Sequence, residues 1–419
     1  MNLTQPKYTL SNWYFIGIIL MLAVSTYLAM PDTDNQADAG SGLSFLAMVG
    51  LAVVQIPLLI YIYGQRIKGA TRSIRLVPRF ILYYAIYFIW MTTITVLFDT
   101  DHNIMGLTTI SLSILVFTFL LSSSYFRARY SELDSWFYLT VIFLMLCICV
   151  QYKNIYSIAN FLDTDKSHIA VSYTPLFILP ILLLSPSRII RYTSILLTTI
   201  IIISAVKRGG ILALGACLMV YVFVKQYVSG TSKLRQITII LAVVAAMGGV
   251  VYYIMENTDN NIIERIQNIS DDGGSGRDIL WVDTYNNIHN RDVGYQLAGN
   301  GYRSAQKVSV LQLPAHNDFL EIWHDFGLIG IVLYGIALFS LGLYTLRLMK
   351  RKSKYAPHMA MALTYYFIFS MTSIVVLYFW MALVMFSVGI VAGLADRELE
   401  NDPNEITIYD NENSSNNAN

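Results

Sequence analysis

The sequence predicts an all-α polytopic integral membrane protein with about a dozen spanning helices, from three observations. Hydrophobic residues make up 55% of the 419 residues and charged residues only 13%, with a mean hydropathy of +0.53. A soluble domain carries about 25% charged residues. The apolar residues recur in runs near the ~20 residues that cross about 30 Å of hydrocarbon as a helix. Isoleucine, leucine and valine fill these runs on all sides, which excludes both surface helices and the alternating pattern of barrel strands.

In chain order the runs place spans at 12–30, 43–64, 77–98, 104–123, 135–151, 168–185, 192–206, 209–227, 236–255, 319–346, 358–377 and 379–395. The run from Trp13 to Met30 is followed by an acidic, polar stretch from Pro31 to Gly40 with no small-residue cleavage pattern. It reads as a spanning helix and not as a removed signal peptide. The seventh run is short, so it and its neighbour form a tight hairpin, or one of them is broken or partly re-entrant. Almost nothing separates the last two, which leaves the count at eleven or twelve.

Basic residues set the orientation. With the amino terminus in the cytoplasm, the inner loops hold 17 of the 28 Lys and Arg residues, from Arg66 and Lys68 through Arg188 and Arg191 to Lys352 and Lys354. Lys7 and Arg397 add to the same side. Both termini are therefore expected in the cytoplasm. The net charge of +1 gives no sign of a nucleic-acid partner. Cys147, Cys149 and Cys217 lie in apolar spans without metal-site spacing or a disulfide setting.

Residues 1–395 are expected to form one membrane domain that includes a large outer loop at 256–318. Residues 396–419 read as an acidic, Asn/Ser-rich, disordered cytoplasmic tail. Within the loop, the flexible turn DDGGSG (271–276) precedes RDILWVDTYNNI, whose Ile279, Leu280, Val282 and Tyr285 form the apolar face of a short interfacial helix. The glycine-rich GYQLAGNGYRSAQ follows. A loop this long with helices of its own is expected to be a functional cap.

Several polar residues stand out against this background. Lys207 and Arg208 lie on the outer side, against the positive-inside pattern, and precede Gly209 and Gly210. They either snorkel to headgroups or bind an anion, with the glycines allowing close approach and the next helix lending its amino terminus. Arg277 is either a solvated charge or half of a two-arginine diphosphate clamp, since a guanidinium holds two phosphate oxygens at once. Arg303, in a polar turn, is a third candidate.

The strongest local pattern is HNDFLEIWHDFGLIG, from His316 to Gly330. As a helix it puts Asn317, Glu321, His324 and Asp325 along one side, with Gly327 and Gly330 offering a smooth packing surface. His316, at its start, is either a polar cap or a proton acceptor, histidine being the residue that titrates near neutral pH. His289, His316 and His324 show no zinc-type spacing.

These motifs resemble the bacterial O-antigen polymerase and O-antigen ligase superfamily. Its hallmark is a histidine followed by Asn, Ser or Gln, nine residues, glycine, two residues and a small or aromatic residue. His316, Asn317, Gly327 and Gly330 match it. Arg208 resembles the arginine after the seventh span, and Gly276, Arg277 and Trp281 resemble the glycine-arginine before a tryptophan in the large loop. Lys207 departs from the family, where a small residue is common.

The resemblance implies a GT-C-like membrane glycosyltransferase in the bacterial inner membrane, inverting, metal-independent and without cofactor. It would transfer a glycan from undecaprenyl diphosphate at the periplasmic face. Arg208 and Arg277 would hold the leaving diphosphate, with Lys207 adding to the anion contacts. His316 would take the acceptor's proton, and Asn317 and Glu321 would orient it or bind sugar. Trp281, Tyr302 and Trp323 would stack on sugars or anchor the loop. The favoured acceptor is another lipid-linked repeat unit, as in a polymerase with a chain-length regulator. Lipid A–core (a ligase) or an exported protein (a protein O-oligosaccharyltransferase) are the alternatives, and a transporter of the lipid-linked sugar is the least favoured.

Overall fold

The computed structural model describes residues 10–29, 42–69, 78–98, 105–129, 135–161, 170–205, 208–230, 277–374 and 380–400, together with residues 238 and 249. Among the described residues the regular structure is helical throughout. The first five helices are α1 (Leu10–Ala29), α2 (Gly42–Gly69), α3 (Arg79–Phe98), α4 (Met105–Arg129) and α5 (Ser135–Phe161). After a 3-10 turn at Ala170–Tyr173 come α6 (Thr174–Leu182), α7 (Arg188–Ser204) and α8 (Arg208–Ser229). The short helices α9 (Arg277–His289), α10 (Val293–Ala298) and α11 (Ser304–Val308) precede the long α12 (Asp318–Lys350). Helices α13 (Ala356–Thr372) and α14 (Trp380–Glu400) follow.

Eleven of the expected spans fall on described helices; the ninth, 236–255, lies outside the described residues except at two positions, as does the turn at 271–276. Five described helices are long and apolar enough to cross a membrane: α3, α5, α8, α12 and α14. The sixth span differs from expectation. Its α-helix has only nine residues, about 14 Å of rise against about 30 Å of hydrocarbon. Pro180 inside it and Pro186 beyond it explain the early stop, since proline removes a helical donor. All nine residues are buried, so α6 is an internal element enclosed by α5, α7, α13 and α14.

Helix α14 runs through the centre of the bundle and packs along α4. A Cβ at Gly389 would lie 2.9 Å from the Phe119 carbonyl oxygen, and one at Gly393 would lie 2.4 Å from that of Ser123. Small residues four apart therefore set this contact, the usual device of helices in lipid. The helix extends past the expected end at 395 because its polar residues find partners. Tyr344 Oη donates to Asp396 at 2.6 Å, and Ser353 Oγ donates to Glu398. Residues 401–419 lie outside the described residues.

Helix α12 packs on α3 and α13, and it is broken rather than continuous. Gly327 has φ 69° and ψ −174°, and a Cβ there would sit 2.2 Å from the Leu297 carbonyl oxygen. Gly299 mirrors it, with φ 84° and 2.2 Å to the Asp325 carbonyl oxygen. Two backbones thus meet where no side chain fits, which requires glycine on both. Around the break, helical carbonyls turn to other donors. Asn300 and Gly301 amides donate to the Asp325 oxygen at 3.0 and 2.8 Å, and the Trp90 indole donates to the Phe326 oxygen at 2.9 Å. A Cβ at Gly330 would lie 2.5 Å from Phe326 Cβ, so the second hallmark glycine serves the same kink.

Gly327→Ala should destabilise the protein by about 2–4 kcal/mol, through steric overlap and left-handed strain together. Thermal unfolding of the detergent-purified variant, and protease cleavage within residues 290–315, measure it.

Candidate active site

The turn before α12 is held from several sides. Asn317 Oδ1 accepts from the Phe319 and Leu320 amides at 2.9 and 3.2 Å, capping the helix and satisfying two of its first amides. His316 has φ 51°, a left-handed conformation uncommon outside glycine but enriched in histidine. Its neighbour Ala315 is buried, and both peptide groups flanking it are fixed. The Ala315 amide donates to Glu321 Oε2 at 2.7 Å, and its carbonyl accepts from Trp281 Nε1 at 2.9 Å. The second of these peptides carries the His316 nitrogen. Glu321, one turn into α12, and Trp281, on α9, therefore act together as a clamp on the turn that presents His316.

Arg277 opens the helix that carries Trp281. It lies four residues before Trp281 on α9, and residues at that spacing share a face. Arg277 is half-buried and, among the described residues, makes no hydrogen bond or ion pair. The amino terminus of α8, where Arg208 sits, approaches from the other direction. Asn317 Nδ2 donates to the Met371 carbonyl at 3.3 Å, and a Cβ at Gly209 would lie 3.7 Å from Thr372 Oγ1. The end of α13 thus joins the first turn of α8 to the His316 turn. Only the backbone of Arg208 is described, and Lys207 lies outside the described residues. Gly210 packs against Tyr173 and Ile202, where a Cβ would come within 3.0 and 3.1 Å, so its smallness serves helix packing.

Arg303 belongs to a second cluster, centred on Asp325, which is fully buried. The Asp325 carboxylate accepts from the Arg303 amide at 2.7 Å, the Ala305 amide at 2.8 Å and Ser304 Oγ at 2.8 Å. The Arg303 guanidinium lies 5.5 Å from the Tyr302 ring centre. Burial raises the Tyr302 pKa above its ordinary value, while the charge and hydrogen bond of Arg303 oppose that rise. Tyr302 is 3% exposed and its amide donates to Thr95 Oγ1 at 3.1 Å, which ties the loop to α3. Trp323 packs with Tyr285 and His289 between α9 and α12, an anchoring role.

Sequence reasoning missed Arg291, which donates to His324 Nε2 across 33 positions. A guanidinium only donates, so that nitrogen accepts and the His324 proton sits on Nδ1, facing Ser304 Oγ at 3.0 Å and Asp325 Oδ1 at 3.3 Å. Burial lowers the Arg291 pKa and Asp325 opposes it. Ser304, His324 and Asp325 are no nucleophilic triad: a triad needs Ser and Asp on opposite ring nitrogens, and here both face Nδ1. This cluster is a staple.

The described residues thus form a helical membrane protein in which a histidine turn, an arginine-bearing helix and the start of a spanning helix converge at one end. Residues 193–335 match the O-antigen ligase family model, a segment that includes α8, the short helices and the first half of α12. Over this segment, which is less than half of the chain, the protein is similar to the O-antigen ligase family, in agreement with the resemblance read from its motifs. No curated protein matches the chain.

Asp325→Ala would strand two backbone amides and a hydroxyl in a buried site, at about 1–3 kcal/mol for each donor left unmet. A fall in thermal stability, with faster hydrogen exchange over residues 299–305, is the expected result.

Proposed function

We propose that this protein transfers a glycan from undecaprenyl diphosphate to the hydroxyl of another lipid-linked repeat unit, at the periplasmic face of the bacterial inner membrane. The observation that carries the reading is the double grip on Ala315, which supports a fixed position for His316 close to the helix bearing Arg277. His316 accepts the proton of the acceptor hydroxyl as its oxygen attacks the anomeric carbon. The bond from that carbon to the diphosphate oxygen breaks, with inversion. Arg277 and Arg208 take up the negative charge that develops on the leaving diphosphate, and Lys207 adds to this clamp. A diphosphate is already a good leaving group, so charge and orientation suffice without a metal or cofactor. Glu321, Asn317 and Trp281 hold the histidine turn, and Arg303 holds the loop.

The polymerase reading rests on the HNDFLEIWHDFGLIG pattern, and its product would be a longer lipid-linked chain whose length a separate membrane partner regulates. The description of the matching family favours a second reading, ligation to lipid A–core. Both share the donor and the residues. They differ only in the acceptor.

Purified protein incubated with undecaprenyl-diphosphate repeat units should give a ladder of lipid-linked polymer without lipid A–core. Product formed only when lipid A–core is added would replace polymerase with ligase. Arg208→Ala, Arg277→Ala and His316→Ala should each slow transfer by about 100-fold or more at matched membrane levels. Near-normal turnover by all three would reject the site.

A further inference from the structure

At the far end of the bundle from the His316 turn, a second set of basic groups converges without acidic partners among the described residues. His358, in the first turn of α13, lies 13 residues before Met371, about 20 Å along the helix. It is 7% exposed, and neither ring nitrogen makes a hydrogen bond, although the Leu183 and Lys354 carbonyls lie nearby. The ring packs edge-on against Tyr221 of α8, with centroids 5.2 Å apart. Lys225 Nζ lies 5.5 Å from the centre of the same Tyr221 ring.

Arg191, in the first turn of α7, is the third member. Its Nη1 donates to the Ser185 carbonyl at 2.7 Å, which turns the guanidinium across the start of its own helix. There it lies close enough for its charge to act on Tyr221, Lys225 and His358. Neither Arg191 nor Lys225 pairs with a carboxylate among the described residues. The first turns of α7 and α13 carry no acidic residue, so two helix amino termini add positive potential to the same place. Glu398 of α14 is engaged by Ser353 and by the Lys354 amide at 3.5 Å.

Like charges gather in this way, beside a buried imidazole with unused nitrogens, where an anion compensates them. We propose that Arg191, Lys225 and His358 form a phosphate-binding site between α7, α8 and α13, separate from the transfer site. Its ligand is a phosphate ester or phosphate ion. Arg191 supplies a planar fork, Lys225 a mobile charge at the rim and His358 an inner hydrogen bond. Lys225 sits near the end of a membrane-length helix, the depth at which lipid headgroups lie, so a phosphodiester headgroup and free phosphate are the two sources of this chemistry.

The test uses the full-length protein in detergent. Native mass spectrometry compares retention of phosphatidylglycerol and phosphatidylcholine, and thermal unfolding compares inorganic phosphate with chloride at equal ionic strength. Preferential retention of phosphatidylglycerol identifies a lipid headgroup; stabilisation by phosphate without lipid preference identifies free phosphate. In either case R191Q/K225Q should weaken binding by about ten-fold or more, as expected for a lost charge-assisted hydrogen bond. His358→Phe, which keeps the ring against Tyr221, should weaken it too. Lys225→Gln alone, at an exposed position, checks that loss of binding is not loss of fold. No preference in either assay, or the same binding by wild type and R191Q/K225Q, overturns the proposal.

Discussion

The buried Asp325 fastens the segment before α12 to the bundle. Its side chain gathers the Arg303 and Ala305 amides and the Ser304 hydroxyl, while its own carbonyl, freed by the break at Gly327, takes the Asn300 and Gly301 amides. A carboxylate this deep is stable only when its oxygens are met by donors, so the loop and the aspartate require each other. Gly299 and Gly327 make the approach sterically feasible, and Trp90 and Thr95 of α3 complete the attachment. The polar staple and the glycine pair are one device: the break exposes the carbonyls that the loop then occupies.

Everything proposed for the transfer chemistry hangs from that attachment. Residues 299–305 are pinned at one end of the segment, and the Ala315 clamp pins the other, just before His316. Trp281 contributes from α9 and Glu321 from α12, so the histidine turn is set by two elements that are themselves packed together. Such double support is what a reactive group needs when its geometry must be held before substrate arrives. The left-handed backbone of His316 fits this account, because a conformation of that kind persists only where its surroundings over-determine it.

Helical membrane architecture was legible in the sequence because lipid demands long apolar helices, and that demand leaves a direct trace in composition. The short α6 was not, since an internal element enclosed by protein is as apolar as one that crosses lipid; only its prolines hinted at the difference. Trp281, Asn317 and Glu321 stood out in the sequence by spacing and resemblance, and the structure finds all three bonded to the turn around His316. Their partners, the Ala315 peptides and the Phe319 and Leu320 amides, are backbone groups, which no sequence pattern displays. Arg291 escaped notice because its partner, His324, lies 33 positions away. The hallmark glycines at 327 and 330 read as smooth packing surface; Gly330 does pack closely, on Phe326, but Gly327 instead forms a break in the helix, a distinction carried by backbone angles alone.

The central claim is that Trp281 and Glu321 act through one turn, and a double-mutant cycle on the transfer rate tests it most directly. Trp281→Phe removes the indole donor, and Glu321→Met removes the acceptor with little change in length. The account predicts that each lowers kcat more than it raises KM, and that the double variant is less impaired than the product of the two effects, by a coupling of about 0.5–3 kcal/mol. Additive losses, or effects confined to KM, would contradict a shared role in holding His316.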